Sequence, residues 1–365
     1  MALKRLHRRL LVAVAASIAL LGLHAQTASS ANVHPAFATQ AMWIWQLPKT
    51  EGGSVERIIA RAKANRIGAV YIKSADAGNR WSQFSAAAVS QLKAAGLRVC
   101  GWQFVYGNRP LSEAAAGAAA KAAGAECLII DAESAYKGKY AAATSYMKEL
   151  RRRVGNSYPL GFTSFPYVSF HTTVPYSVFL GAKGAQVNMP QVYWRDIGTS
   201  VTTAMTRTWR ENRIYGRPIV PIGQTYQSAP VSDIARFRAF ARAWDAPGYS
   251  WWEWSTTSTR QWAALANRNV SRINPGDPGW PVLGRGAKGD PVRQGQRLLI
   301  AAGYGAVKAN GIFGDATAAA VRSLQESRRI PVTGTLDAAT WPGLIKVAAA
   351  RITERRLASV ARRSP

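Results

Sequence analysis

The sequence predicts an α/β chain: a (β/α)₈ TIM barrel over residues 41–266, followed by a small three-helix unit at 283–345. Three observations carry this expectation. A short apolar or aromatic run, a turn, and an Ala/Arg/Lys-rich stretch of helical spacing recur along 41–266, and eight such units suit a barrel of about 250 residues. No glycine-rich nucleotide turn follows the first run, which argues against a doubly wound open sheet. Residues 267–282, "NRNVSRINPGDPGWPV", are dense in Pro, Gly and Asn and read as a linker.

The eight strand candidates are "AMWIW" at 41, "AVYIKSA" at 69, "RVCGWQFV" at 98, "AECLIIDAE" at 125, "PLGFTSF" at 159, "AQVNMPQVY" at 185, "PIVPIGQTY" at 218 and "GYSWWEW" at 248. They are short and rich in β-branched and aromatic residues. Helical spacing is expected over 54–65, 82–95, 112–123, 139–153, 199–211 and 231–244, while the helix after the fifth strand is poorly marked and Pro175 breaks that region. In the small unit helices are expected at 290–302, 315–327 and 337–345. The basic tail, 346–365, has six basic residues and one acid and is expected to be loosely ordered.

The chain opens with Lys4, Arg5, Arg8 and Arg9, an apolar run from Leu10 to Leu23, and small residues near Ala31. That is the pattern of a secretory signal peptide, expected at 1–31, and the run is short for a bilayer span. The formal net charge is +28, and removing those four basic residues leaves +24. So cationic an exported protein is expected to meet polyanions such as wall carboxylates and phosphates, whereas no basic helix or nucleic-acid fingerprint accompanies the charge. Cys100 and Cys127 both lie in strand-like runs; buried thiols and one disulfide between neighbouring strands are both open, because bridging depends on Cα spacing. Beyond the leader only His34 and His171 remain, too few for a histidine-built zinc peptidase. No G-x-S-x-G elbow or phosphate-binding loop occurs.

The stretch "CLIIDAESAY" carries the chemistry. Strand residues two apart share a face, so Asp131 and Glu133 project together from the end of the fourth strand, where barrel active sites lie. Two acids so placed suit glycoside hydrolysis, with carboxyl groups about 5 to 9 Å apart. Glu133 is expected to be the general acid, its pKa raised by an Asp131 anion. Asp131 would stabilise the cationic transition state, act as nucleophile, or orient a substrate acetamido group. Lys73 and Asp76 end the second strand, Gln103 the third, Gln191 and Tyr193 the sixth, Gln224 and Tyr226 the seventh, and Glu253 the eighth. Trp43, Trp45, Trp102, Trp194, Trp251, Trp252 and Trp254 fall near the same rim, where aromatic faces can stack on sugars or simply pack in the core. Of these, Trp45 and Trp254 join Glu253, Lys73, Asp76, Gln103, Gln191 and Tyr193 as candidate substrate-binding residues.

The runs "AVYIKSADAGNRW", "AAGLRVCGWQFVYG" and "AKAAGAECLIIDAES" resemble family 25 glycoside hydrolases, secreted N-acetylmuramidases with a barrel fold. Ile72 and Lys73 match that family's second-strand element, with Asp76 and Gly78 displaced; Gln103-Phe104 stands where His-Phe is common, and Asp131 and Glu133 match its D-x-E. The usual acid ending the first strand is absent, and the last strand reads Trp252-Glu253-Trp254 in place of W-Q-Y. In the small unit, "LGRGAKGDPVRQGQRLLIAAGY", "NGIFGDATAAAVRSLQ" and "VTGTLDAATWPGL" resemble the three-helix peptidoglycan-binding domain of bacterial wall hydrolases, with Gly311 and Gly314 permitting a turn and Asp315 and Asp337 capping helices.

The resemblance implies a secreted, cell-wall glycosidase of lysozyme type, needing no metal or organic cofactor. Peptidoglycan and anionic wall polymers would be its partners, with no nucleic acid and no stable membrane insertion, and the chain would act as a monomer tethered to its polymer by the small domain. A catalytically silent glycan-binding barrel and a glycosidase for another extracellular polysaccharide are the alternatives.

Overall fold

The computed structural model describes residues 33–361, so the expected leader at 1–31 lies outside the described residues. Eight strands form the barrel: β1 (Gln40–Ile44), β2 (Ala69–Asp76), β3 (Arg98–Val105), β4 (Cys127–Ala132), β5 (Leu160–Ser164), β6 (Val187–Pro190), β7 (Ile222–Gln224) and β8 (Tyr249–Trp252). All pair in parallel, in the order β6-β5-β4-β3-β2-β1-β8-β7. Parallel bridges Asn188–Ile219 and Gln191–Ile222 join the two outer strands and close the ring. The predicted barrel is therefore the observed one.

Helices α1 (Val55–Ala64), α2 (Ala86–Ala94), α3 (Pro110–Ala122), α4 (Tyr140–Val154), α5 (Tyr176–Phe179), α6 (Val201–Asn212), α7 (Val231–Ala243) and α8 (Thr259–Ala266) follow the strands in turn. Serines start four of them: the hydroxyls of Ser54, Ser85, Ser200 and Ser258 accept the backbone N–H three residues on, satisfying a donor that the first turn cannot. The weakly marked fifth helix is a single turn, directly after Pro175.

Strand alternation divides the core in two. On β4, Leu128 and Ile130 pack outward against the helices, whereas Cys127 and Ile129 point inward beside Trp43, Tyr71, Trp102 and Met189. Ala36 and Phe37 belong to that inner cluster, and the Tyr71 hydroxyl donates to the Ala36 carbonyl at 2.7 Å, so the N-terminal segment plugs the barrel floor. Gly161 makes room there: a Cβ would lie 2.7 Å from Met189 Sδ. Cys100 and Cys127, register partners on β3 and β4 with Cα atoms 4.6 Å apart, form a disulfide.

The C-terminal unit holds α9 (Asp290–Ala301), α10 (Asp315–Ser327) and α11 (Trp341–Ala361). The third helix is far longer than predicted and takes in most of the expected tail, because "KVAAARITERRLASVA" contains no breaker. Gly311 turns the chain at φ 78°, but Gly314 has φ −100°, open to any residue, and is itself the N-cap, with Asp315 already inside the helix. Asp337 does cap, accepting from the backbone N–H groups of Ala339 and Thr340.

Candidate active site

Parity continues up β4: after Cys127 and Ile129 the next inward residue is Asp131, and Glu133 follows just beyond the strand end. Here, at the C-terminal mouth, is a cavity of about 180 Å³. Asp131, Glu133, Gln191 and Tyr193 give it a polar side, and Trp43, Trp252 and Ile222 an apolar one. Gln191 bridges the acids: its Nε2 donates to Glu133 Oε1 at 2.9 Å and to Asp131 Oδ1 at 3.3 Å. Trp43, Trp102 and Trp252 meet edge to face, with centroids 5.5 to 5.7 Å apart, which fixes the aromatic wall. The Trp43 Nε1 is held by Ser250 Oγ at 2.9 Å and Trp102 Nε1 by the Ile44 carbonyl at 3.1 Å.

Asp131 is only 6 % exposed. Burial pushes its carboxyl well above the usual range, and the Glu133 charge, a hydrogen bond with Glu133 and the Asp76 charge push the same way, while Lys73 opposes them. Asp131, expected from the sequence as an anion, is raised because it lies inside the barrel, while Glu133 stands half-buried at its mouth. The Tyr193 hydroxyl is likewise raised, mainly by burial.

Lys73 and Asp76 stand beside this pair. Lys73 Nζ binds Asp76 Oδ2 at 2.6 Å and lies 4.5 and 4.8 Å from the Trp81 and Trp102 ring centroids, and its side chain is 7 % exposed. Asp76 Oδ1 accepts from the Tyr106 hydroxyl at 3.1 Å. Trp45, 46 % exposed at the end of β1, is at the rim but does not line the cavity.

Three more expected cleft residues do not line the cavity. Gln103 alternates with the inward Trp102 and faces α3, where its Nε2 donates to the Ala77 and Glu113 carbonyls at 2.6 and 2.7 Å and its Oε1 accepts from Tyr146 at 2.9 Å. Glu253 is buried, with Oε1 bound by Ser255. Trp254 packs on Trp262 and donates to Glu51 Oε1 at 3.0 Å. Trp194 and Trp251 likewise pack on Phe237 of α7. Gln224 is spent on the Arg195 backbone N–H at 2.7 Å, and Tyr226 binds Asp196. Conversely, sequence reasoning passed over Ile222, Trp81 and Tyr106. Inward parity with Val220 is the signal that marks Ile222.

A wider hollow of about 520 Å³ opens at the opposite end of the barrel, around Gln40, Arg238 and Tyr249. It contains no carboxylate pair, and Arg238 is consumed by the Tyr249 hydroxyl and the Ala264 and Asn267 carbonyls. The carboxylate pair therefore marks the smaller cavity, at the strand C-termini, as the candidate site.

Residues 288–342 match the family described as "Putative peptidoglycan binding domain". A comparison with curated proteins finds no match. Among solved structures, the SleB N-terminal domain is 37% identical, over 19% of this chain and 93% of that one, with a TM-score of 0.18. The spore cortex-lytic enzyme SleL of Bacillus cereus is 12% identical, over 64% of this chain and 75% of that one, at 0.45. The catalytic domain of a chitinase from Pyrococcus furiosus is 12% identical, over 65% and 95%, at 0.48. The last two are likenesses of fold alone. Fold and site together define a TIM barrel protein with an acidic, aromatic-walled cavity at the C-terminal ends of its strands and a peptidoglycan-binding domain at its C-terminus.

Proposed function

We propose that this protein is an exported cell-wall glycosidase that cleaves peptidoglycan glycan strands in the manner of a muramidase. The observation that carries the reading is the Asp131–Glu133 pair, bridged by Gln191 over a tryptophan-walled cavity, in a chain that also bears a peptidoglycan-binding domain. The +24 charge expected of the exported chain would add attraction to anionic wall polymers.

In this reading Glu133, at the mouth, is the acid that protonates the glycosidic oxygen. Asp131 holds a proton at pH values where an ordinary aspartate has none, which disfavours it as a resting nucleophile. Passing that proton to Glu133 arms the acid and leaves Asp131 anionic. It can then accept the N–H of a substrate acetamido group, whose carbonyl oxygen attacks the anomeric carbon as the leaving oxygen departs with the proton. A cavity of about 180 Å³ suits an acetamido group, with Trp43 and Trp252 beside its methyl and the Tyr193 hydroxyl beside its oxygen. Such a route needs no acid at the end of β1, where this chain has none. Lys73 and Asp76 support the pair electrostatically, and Trp45 offers a stacking face at the rim.

The test is mass spectrometry of sugars released from purified peptidoglycan by the wild-type protein and by Glu133→Gln. Reducing N-acetylmuramic acid ends, lost in the variant, are expected. Reducing N-acetylglucosamine ends would move the cut to the other bond. Release of nothing, with wall binding intact, would leave a glycan-binding barrel instead.

A further inference from the structure

The linker and the small domain do not hang free from the barrel. The linker is strapped across α6 and α7: Arg242 donates to the Val270 carbonyl at 3.0 Å, and Trp244 Nε1 to the Gly276 carbonyl at 3.0 Å. Arg213 pairs with Asp277 at 2.7 Å and lies 3.9 Å from the Trp280 ring centroid. Beyond it, α9 comes to rest where the barrel lacks a full helix. Asp290, wholly buried, accepts from the Ser177 backbone N–H at 2.8 Å, Ser177 Oγ at 2.7 Å and the Tyr215 hydroxyl at 2.9 Å. Its own N–H donates to the Thr172 carbonyl at 2.6 Å. One turn on, Arg293 lies 4.1 Å from the Tyr140 ring centroid at the start of α4, and Gln294 donates to the Ile214 carbonyl at 3.1 Å. These contacts touch α4, α5 and the chain just after α6, the sector a full fifth helix would fill.

We propose that α9 serves as the barrel's fifth outer helix, so that the C-terminal domain is a fixed arm of the catalytic body and not a tethered module. A buried carboxylate satisfied by three donors across a junction holds only while the junction is closed, since parting it would strand those groups. A flexible tether would raise effective substrate concentration around the barrel. A fixed arm instead holds the wall ligand at one distance and one angle from Glu133. The inference rests on the junction alone and stands whether or not the barrel cleaves glycans.

The experiment uses the full chain with a specific protease site inserted between Ser271 and Arg272 in the linker. After cutting, the two fragments are expected to co-elute as one species on gel filtration, and the uncut chain to melt in one calorimetric transition. Asp290→Ala is expected to release the small fragment after cutting. Ser177→Ala and Tyr215→Phe each remove one donor without touching α9, and each is expected to speed fragment dissociation about tenfold, the equivalent of one such hydrogen bond. Separation of the otherwise unaltered fragments, or two independent melting transitions in the uncut chain, would overturn the proposal. Fragments that stay together with dissociation unmoved by all three substitutions would overturn the role given to Asp290.

Discussion

Gln191 and Glu133, 58 positions apart in sequence, meet at 2.9 Å across the barrel mouth, and the same amide nitrogen reaches Asp131 at 3.3 Å. A neutral amide that donates to both acids holds them in one geometry without adding charge. Gln191→Leu removes the bridge, and the loss of a hydrogen bond to a charged group, about 1.5–3 kcal/mol, should lower kcat/KM about 10- to 100-fold. Steady-state kinetics on soluble glycan fragments checks this, and an unchanged kcat/KM would show that the acids hold their places unaided.

Asp131 gives a pH signature in stability. Its carboxyl is raised in the folded chain, so the native state keeps a proton that the unfolded chain releases near pH 4. Stability therefore falls as pH rises from about 4 toward the folded value, and no further beyond it. Asp131→Asn has no such term. Its stability relative to the wild type should rise across that window while activity is lost, as read by urea denaturation at a series of pH values. A difference independent of pH would contradict the assignment.

Lys73 acts on the pair from between Trp81 and Trp102. It is the cation that opposes the rise at Asp131, while Asp76 adds to it. Lys73→Met should raise the proton affinity of Asp131 further and move the profile of kcat/KM to higher pH, and Lys73→Arg should restore it. If instead KM rises and the profile stays, Lys73 touches substrate.

Gly117 on α3 admits the Gln103 side chain, whose Oε1 occupies the place a Cβ would take. Gly117→Ala gains helix propensity but forces that buried amide out of its bonds with Ala77, Glu113 and Tyr146. A net loss of about 1–3 kcal/mol is expected from overpacking. Calorimetry that shows stabilisation would mean that the amide can move at little cost.

The sequence by itself determined the repeating strands and helices, because both are written in local periodicity. β3 at Arg98–Val105 and α10 at Asp315–Ser327 coincide with the runs read from residue pattern. It also placed Asp131 and Glu133 together at a strand end, since period two needs no partner strand. Strict use of the same alternation would have turned Gln103 away, because it sits between the inward Trp102 and Phe104. What only the tertiary structure decided is what distant segments do to each other. Ring closure brought Gln191 to the acids, burial raised Asp131, and Asp290 found Ser177 from 113 residues away. Hydrogen-bond partners and desolvation belong to the assembled barrel. No window of sequence contains both sides of such a contact.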